Sequence, residues 1–298
     1  MSWVLFAILS AALYAVTNFI DKYILESEVR DYRSLSMYSG LVSFVFGCLY
    51  WVFVGFPLLP ARDTVLIILT GVLTIWGLAL YFRALSSEAT STVIILFQLT
   101  PVMTLLLSAI ILGEKISIAQ AFGFFLIMIA GIGVALKREH LHTYVSTALL
   151  FVLLADVLWA SSAILFKLVA SSAVFTQLIP YESWGIALGS MILYLQFLSV
   201  RNAFHQINKS LRKIIIGTIF INEIIFVIAK LLGFYAITIG PVALVSVVGS
   251  TQVFFGVVYG LFLTFLAPSV FKEDISSLGL IKKLFLAFMI FMGIWLIQ

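Results

Sequence analysis

Ten long apolar stretches fill almost the whole chain and constrain its fold more than any motif does. Of its 298 residues, 63% are hydrophobic and 10% are charged, whereas a soluble domain is about half apolar and about a quarter charged. A helix needs about 20 apolar residues to cross a hydrocarbon core roughly 30 Å thick. We therefore predict an all-α membrane protein with ten transmembrane helices. The predicted spans are 3–25, 35–56, 64–85, 91–112, 119–136, 147–170, 179–198, 214–235, 242–267 and 278–297.

The short connections between these spans leave no room for a soluble domain. His140, His142 and His205 all lie in predicted loops, and the sequence contains no H-E-x-x-H, G-x-S-x-G or Walker A pattern. We therefore expect no enzyme activity, no cofactor and no metal site. The net charge is +4, and the basic residues sit mostly in membrane-edge loops. There they are expected to meet lipid headgroups, not nucleic acid.

The chain repeats itself when position n is set against n+145. Further along the chain, and at a larger offset, the Glu114-Lys115-Ile116-Ser117 connection reappears as Glu273-Asp274-Ile275-Ser276. We predict two five-helix units, over residues 1–140 and 145–298. The matched positions are Leu5/Leu150, Phe6/Phe151, Leu9/Leu154, Leu13/Leu158, Tyr14/Trp159, Ala15/Ala160, Thr17/Ser162 and Lys22/Lys167.

An odd number of spans in each unit has a topological consequence. A second copy of a five-span unit enters the membrane from the opposite side, so the two copies are inverted repeats. Exchanging the conformations of two inverted halves converts an outward-open carrier into an inward-open one, which is typical of secondary transporters. The ninth span is longer than its counterpart, so we expect it to be extended or to contain an extra turn.

Three motifs resemble the EamA-type repeat of the drug/metabolite transporter superfamily. They are the pairs Tyr14-Ala15 and Trp159-Ala160, the segment 81–85 followed by Ser91, and the segments 99–102 and 112–115. The resemblance covers essentially the full chain and implies a ten-helix fold. It also implies a central cavity between spans one, three, four, six, eight and nine. Members of this superfamily transport many kinds of solute, so the fold leaves the substrate open.

Charged residues inside the spans are the first candidates for function, because each costs roughly 2.5–3.5 kcal/mol at a helix centre. Asp156 lies near the middle of the sixth span and shares a helix face with Trp159. It is either a cavity residue for a cation or proton, or a buried acid bonded to a neighbouring helix. Glu223 is a candidate proton carrier. Lys230, two turns later, either lines a cavity or extends to the interface.

Neutral polar and aromatic residues supply the remaining candidates for substrate binding. Asn18, Gln98 and Gln252 either contact a ligand or join helices by hydrogen bonds, and Tyr14 and Tyr81 are candidate cavity walls. Pro101 is expected to kink the fourth span. The glycine pairs Gly185/Gly189 and Gly256/Gly260 are expected to permit close helix packing. Residues near span ends are interpreted first as turn residues, and this group contains Lys22, Glu114, Lys167 and Glu273, with Glu182 left undecided.

Together these features predict a secondary-active transporter of a small organic metabolite in the cytoplasmic membrane, working by alternating access. Its expected partners are the solute and the lipid bilayer, with either a proton or a counter-substrate as the coupling partner. Assembly as a homodimer stays open. The main alternative is a flippase, or flippase subunit, for a lipid-linked amphiphile. That alternative would use Lys22, Arg83 and Lys167 as interfacial anchors.

The distribution of basic residues makes a prediction about orientation. Eleven Lys and Arg residues belong to one side of the predicted topology, and only Arg62 and Lys115 belong to the other. The positive-inside rule places the richer side in the cytoplasm and both termini outside, whereas the superfamily resemblance implies cytoplasmic termini. A C-terminal reporter that is active on one side of the membrane should therefore report an outside terminus. Reporter activity on the cytoplasmic side would show that the charge rule fails for this chain.

Overall fold

Every regular element of the protein is a helix within the residues that its computed structural model describes. These residues are 2–27, 33–87, 97, 99–135, 147–210, 213–266 and 277–297. The helices are α1 Trp3–Ser27, α2 Arg33–Phe53, α3 Ala61–Ser87, α4 Thr100–Leu107, α5 Ile118–Ala135, α6 Thr147–Ala170, α7 Phe175–Gln196, α8 Leu198–Ser210, α9 Lys213–Ile239, α10 Val242–Gly249, α11 Gln252–Leu266 and α12 Ser277–Ile297. Helix α4 continues as a π-helical turn over Ser108–Leu112.

The predicted membrane class is confirmed, whereas the predicted count of ten spans is not. Six described segments are long and apolar enough to cross a bilayer, and a seventh counts if the α7–α8 pair, which bends by 101°, forms one span. The predicted fourth, fifth and tenth spans appear as shorter apolar helices, over Thr100–Leu112, Ile118–Ala130 and Phe285–Ile297. The chain is therefore a multi-pass all-α membrane protein, and the full count of ten stays a prediction.

Helix α8 occupies a region that the sequence analysis assigned to a loop. That interpretation was wrong, and His205 lies in this helix, while His140 and His142 fall outside the described residues. Val200 and Ala203 are buried, and their spacing of three places both on one face of the helix. The segment was missed because it is too short and too polar to cross a bilayer, although Val200, Ala203, Phe204 and Ile207 recur at helical spacing.

The predicted ninth span is divided in two. Helix α10 ends at Gly249 and α11 begins at Gln252, with a turn at Ser250 and Thr251 between them. In the turn, the Thr251 amide bonds to the Val248 carbonyl at 3.0 Å. A helix interruption leaves backbone groups that need protein partners inside a membrane. The ninth span is longer than its counterpart because it contains this break. Residues on both sides of the break face the protein interior.

The two halves of the chain interleave into one body. The most extensive packing contacts all join a helix from the first half to one from the second: α3 with α6 and α7, α1 with α9, α2 with α7, and α5 with α12. Under the n+145 relation, the α1–α9 pair is equivalent to the α6–α3 pair. The contact pattern therefore has the exchange symmetry expected of two repeats, and the division into residues 1–140 and 145–298 stays a prediction.

Equivalent helices from the two halves run in opposite directions. The Ser190 hydroxyl, near the end of α7, donates to the Ser36 carbonyl near the start of α2 at 2.6 Å. At the other end of the pair, Gly47 of α2 packs against Trp184. Gln120 at the start of α5 likewise reaches the Ile297 carbonyl at the end of α12, at 3.5 Å. Antiparallel packing of equivalent helices is the geometry that an inverted repeat requires.

Helices α3 and α7 approach so closely that two glycines meet in their interface. A Cβ atom on Gly71 would overlap the Glu182 carbonyl, and one on Gly185 would overlap the Ile68 carbonyl. Gly189 packs against Val72 in the same interface. The predicted packing role of the Gly185/Gly189 pair is confirmed. It is wrong for Gly256, where an added Cβ would meet no atom within 4 Å.

We expect Gly71→Ala and Gly185→Ala each to destabilise the protein by about 1–3 kcal/mol, because the methyl group would push two backbones apart. Gly217→Ala is the matched control. Gly217 lies in helix α9 with open space around its Cβ position, so alanine there should be neutral or add about 0.5–1 kcal/mol. Thermal unfolding of the purified variants in one detergent measures this. Equal melting temperatures for all three variants would contradict the close α3–α7 contact.

Candidate functional site

A cavity of about 190 Å³ lies between the two halves of the protein. Its wall comes from five of the six spans that the family resemblance implied, namely one, four, six, eight and nine. Tyr14 and Trp159 lie close to the midpoints of α1 and α6, so the cavity sits midway along these helices. The lining residues are Ala7, Ser10, Tyr14, Thr100, Thr104, Trp159, Ala163, Gly233, Ile237, Val242, Val245, Ser246, Gly249 and Gln252.

Two equivalent aromatic pairs stand on opposite sides of the cavity. Tyr14 of α1 packs edge-on against Phe226 of α9 at 5.6 Å, and Trp159 of α6 packs against Tyr81 of α3 at 6.1 Å. Each member of the first pair is related to one of the second by the 145-residue shift. The Trp159 indole also donates to the Thr74 carbonyl at 3.1 Å. The repeat therefore generates two similar aromatic walls, and Tyr81 supports one of them from behind.

The hydroxyl groups around the cavity donate their hydrogen atoms within the protein. Ser10 donates to the Ala229 carbonyl at 2.8 Å, and Thr104 donates to the Thr100 carbonyl at 2.9 Å. Ser246 donates to the Thr104 hydroxyl at 3.2 Å. A hydroxyl has one hydrogen and two lone pairs. These groups therefore present acceptors to the cavity, and no charged side chain is among the lining residues that the structure describes.

Asp156 lies just behind the cavity wall. The Thr100 hydroxyl donates to its Oδ1 atom at 2.5 Å, and Asp156 is fully buried. Its other carboxyl oxygen, Oδ2, has no hydrogen-bond partner in the described structure. The position matches the second interpretation from the sequence, a buried acid bonded to a neighbouring helix. Thr100 is itself a lining residue, so a single hydrogen bond connects Asp156 to the cavity wall.

Glu223 and Lys230 lie outside the cavity and bond to different helices. The Lys230 ammonium pairs with the Glu182 carboxylate of α7 at 2.5 Å, and the two side chains are 3% and 1% exposed. Lys230 is therefore buried and does not extend to the interface. Glu223 accepts a hydrogen bond from Ser39 of α2 at 2.6 Å. Both charges stand out in the sequence as interruptions of an apolar span, but the partner of neither could be found there.

Some of the remaining predicted site residues have a described position in the structure, and others do not. Gln252 lines the cavity at the first residue of α11. Asn18 is half-buried in α1 and is not a lining residue. Gln98, Glu273 and the Lys22 side chain lie outside the described residues. Pro101 begins α4 in its first turn, and the kink predicted there depends on residues 88–96 and 98, which are not described.

Glu114 and Lys167 together hold the turn between α9 and α10. The Lys167 ammonium donates to the carbonyls of Ile237, Thr238 and Gly240 at 2.8, 3.2 and 2.9 Å. These are unpaired acceptors at a helix C-terminus. The Glu114 carboxylate accepts from the Val242 amide at 3.0 Å, at the N-terminus of α10. The prediction of turn residues is confirmed for both. The three carbonyls occupy the donors of Lys167, so it is not an anchor for a lipid headgroup.

The described helices define a class, the multi-pass all-α membrane proteins. Residues 1–136 match the model of the EamA-like transporter family. This part of the chain is therefore similar to that family, which lies within the drug/metabolite transporter superfamily. A solved structure described as "Crystal structure of protein" aligns with 99% of this chain and 95% of its own, with a TM-score of 0.69 and 14% identity. At that identity the similarity concerns the fold alone. No curated protein matches the chain in sequence.

The Glu182–Lys230 pair gives a test of how charges are accommodated outside the cavity. Removing one partner, as in Glu182→Met or Lys230→Met, leaves the other charge buried and should cost about 3–5 kcal/mol of stability. The double variant replaces both charges by apolar groups of similar volume, so it should recover most of that loss. Unfolding free energies of the three variants, measured in one detergent, test this expectation. Losses that simply add in the double variant would contradict a direct pair.

Proposed function

We propose that this protein is a secondary-active transporter that moves a small organic metabolite across the cell membrane by alternating access. The observation that carries the proposal is the cavity between the halves, which is lined at the midpoints of the equivalent helices α1 and α6. A site between inverted repeats can open to either side when equivalent helices exchange conformations. The α1–α9 pair flanks the cavity on one side and α6, with α3 behind it, flanks the other. Relative motion of these two pairs would change access.

The chemistry of the lining supports a solute that brings hydrogen-bond donors. Ser10, Thr100, Thr104 and Ser246 all donate inside the protein and keep acceptor lone pairs for the cavity. The Asp156 carboxyl behind Thr100 adds negative potential if it is ionised. A primary amine, an amino acid or a polyol meets these requirements better than an anionic sugar phosphate does.

The size of the cavity limits the solute further. A volume of about 190 Å³ corresponds to roughly six water molecules at their share of liquid volume. It is smaller than the roughly 300–1,000 Å³ of pockets that hold drug-sized ligands. The aromatic faces of Tyr14 and Trp159 suit a cationic group as well, because an ammonium is attracted to an aromatic ring face. A compact amine is therefore the substrate class that the cavity fits best.

A thermal-stabilisation screen tests this proposal. The purified protein is heated with amines, amino acids, polyols, nucleotides and sugar phosphates. A ligand present at 100 times its Kd should add about 2.7 kcal/mol to the stability of the folded state. We expect hits among the compact amines and none among the sugar phosphates. Hits confined to anionic or large amphiphilic compounds would contradict the proposed substrate class.

Paired variants of helix α6 link such hits to the cavity. Ala163→Phe places an aromatic ring inside the cavity, because Ala163 is a lining residue, and should abolish both stabilisation and uptake into proteoliposomes. Val157→Phe is the matched control, since Val157 lies on the exposed face of the same helix at 42% exposure. The control should keep both signals. Equal ligand responses in the two variants would show that the solute binds elsewhere.

A further inference from the structure

A second cluster of polar groups, three of them buried and Asp21 half-buried, lies outside the cavity lining, between helices α1, α2 and α9. It contains Asp21, Ser39, Asn222 and Glu223. Glu223 is ten residues from the cavity residue Gly233 on α9, which is about 15 Å along a helix axis. None of these four residues lines the cavity, and the acidic groups cost free energy in a membrane unless something compensates them.

The hydrogen bonds of the cluster are incomplete in the described structure. Glu223 is 7% exposed, and its Oε1 atom accepts from Ser39 while its Oε2 atom has no partner. The Asn222 amide donates to Asp21 Oδ1 at 2.7 Å, and its own carbonyl oxygen, Oδ1, has no partner. An ionised carboxylate has about four acceptor positions, so one bond leaves Glu223 poorly solvated as an anion.

The described basic group near this cluster is already engaged. Lys230 pairs with Glu182, so its charge acts on Glu223 only from a distance. Asp21 also acts on Glu223, with the opposite sign. The titratable groups that the structure describes around the cluster are Asp21 and Tyr14 on α1, Tyr81 on α3, Glu182 on α7 and Lys230 on α9. With Glu223 they hold three carboxyl groups and one ammonium, a net charge of −2 when all are ionised, so a bound proton would reduce the excess negative charge.

Ser39 can form a hydrogen bond with Glu223 in both the ionised and the protonated state of the carboxyl group. Its hydroxyl oxygen lies 2.6 Å from Glu223 Oε1 and 3.3 Å from the Leu35 carbonyl of its own helix. A hydroxyl has a single hydrogen. It can donate that hydrogen to an ionised Glu223, or it can donate to Leu35 and accept from a protonated Glu223. The positions of the heavy atoms satisfy both arrangements.

We propose that Glu223 is an exchangeable proton-binding site, with Ser39 as the hydroxyl that follows its protonation state. On release, the O–H bond of the Glu223 carboxyl breaks and the proton passes to water. The Ser39 hydrogen then rotates from the Leu35 carbonyl to the carboxylate. On uptake, both steps reverse. Metal ions fit less well, because no group of three His, Cys, Asp or Glu side chains comes together among the described residues.

The position of this site connects it to the cavity. Helices α1 and α9 carry the Asp21–Asn222 bond at one level and the cavity residues Ser10 and Gly233 at another. Proton uptake changes the bonds that hold α9 to α2, and α9 also contributes to the cavity wall. This link to solute movement rests on the proposed transport function, whereas proton binding itself does not. The experiment therefore uses no solute.

Infrared spectroscopy of the full protein in lipid, titrated with pH and repeated in D2O, tests the proposal. The wild type should show a protonated-carboxyl C=O band that shifts on deuteration and disappears as pH rises. Glu223→Gln should lack this band in the difference spectrum. Asp63→Asn, which removes a partly exposed acid in the first turn of α3, should keep it. A band of equal intensity in the Glu223→Gln spectrum would overturn the proposal.

Two further measurements keep the test decisive if Glu223→Gln does not fold. Ser39→Ala keeps the carboxyl but removes its partner, so the frequency of the band and the pH midpoint of its disappearance should both change. Unchanged values of both would overturn the role of Ser39 and the assignment of the band. Adding Na⁺ at constant pH should leave the wild-type band unaltered. Loss of the band on adding Na⁺ would show a sodium site in place of a proton site.

Discussion

Every polar group that a helix carries into a bilayer needs a partner inside the protein, because lipid offers none. In this chain that requirement is met largely between the two halves. Ser10 of α1 bonds to the Ala229 carbonyl of α9, and Ser162 of α6 bonds to the Thr70 carbonyl of α3. The α1–α9 and α6–α3 pairs are equivalent under the repeat. The need for internal hydrogen-bond partners therefore joins the helices of each pair in the same way, and the cavity lies between the two pairs.

The position of α10 depends on two charged groups that never enter the cavity. Lys167 binds the carbonyls that end α9, and Glu114 binds the amides that begin α10. Charges at these places are favourable, because a helix C-terminus attracts a cation and an N-terminus attracts an anion. With its start fixed, α10 brings Val242, Val245 and Ser246 to the cavity wall. Two residues that the sequence indicated as turn residues thus determine the shape of the site.

The sequence predicted most of what depends on periodicity and little of what depends on contacts between distant helices. The length of the apolar stretches predicted the helices, and the 145-residue repeat predicted that Tyr14 and Trp159 occupy equivalent positions. The Glu182–Lys230 pair joins residues 48 positions apart on different helices, and spacing along one helix cannot reveal such a partner. Glu223 was recognised because it interrupts an apolar span. Asp21 was passed over because it lies near a span end, where a charge is usually exposed.

The division between neutral and ionisable groups suggests how one fold can serve different solutes. The described cavity wall consists of hydroxyl, amide, aromatic and aliphatic groups, and such groups can be exchanged without upsetting buried charges. The acids lie instead at contacts between helices, where Asp156 meets α4, Glu182 meets α9 and Glu223 meets α2. A charge at a helix contact responds to relative movement of the two helices, because its desolvation depends on their separation. Under the proposed function, recognition and conformational control would rest on different residues, and substitutions in the cavity wall would change the solute while the helix contacts remain.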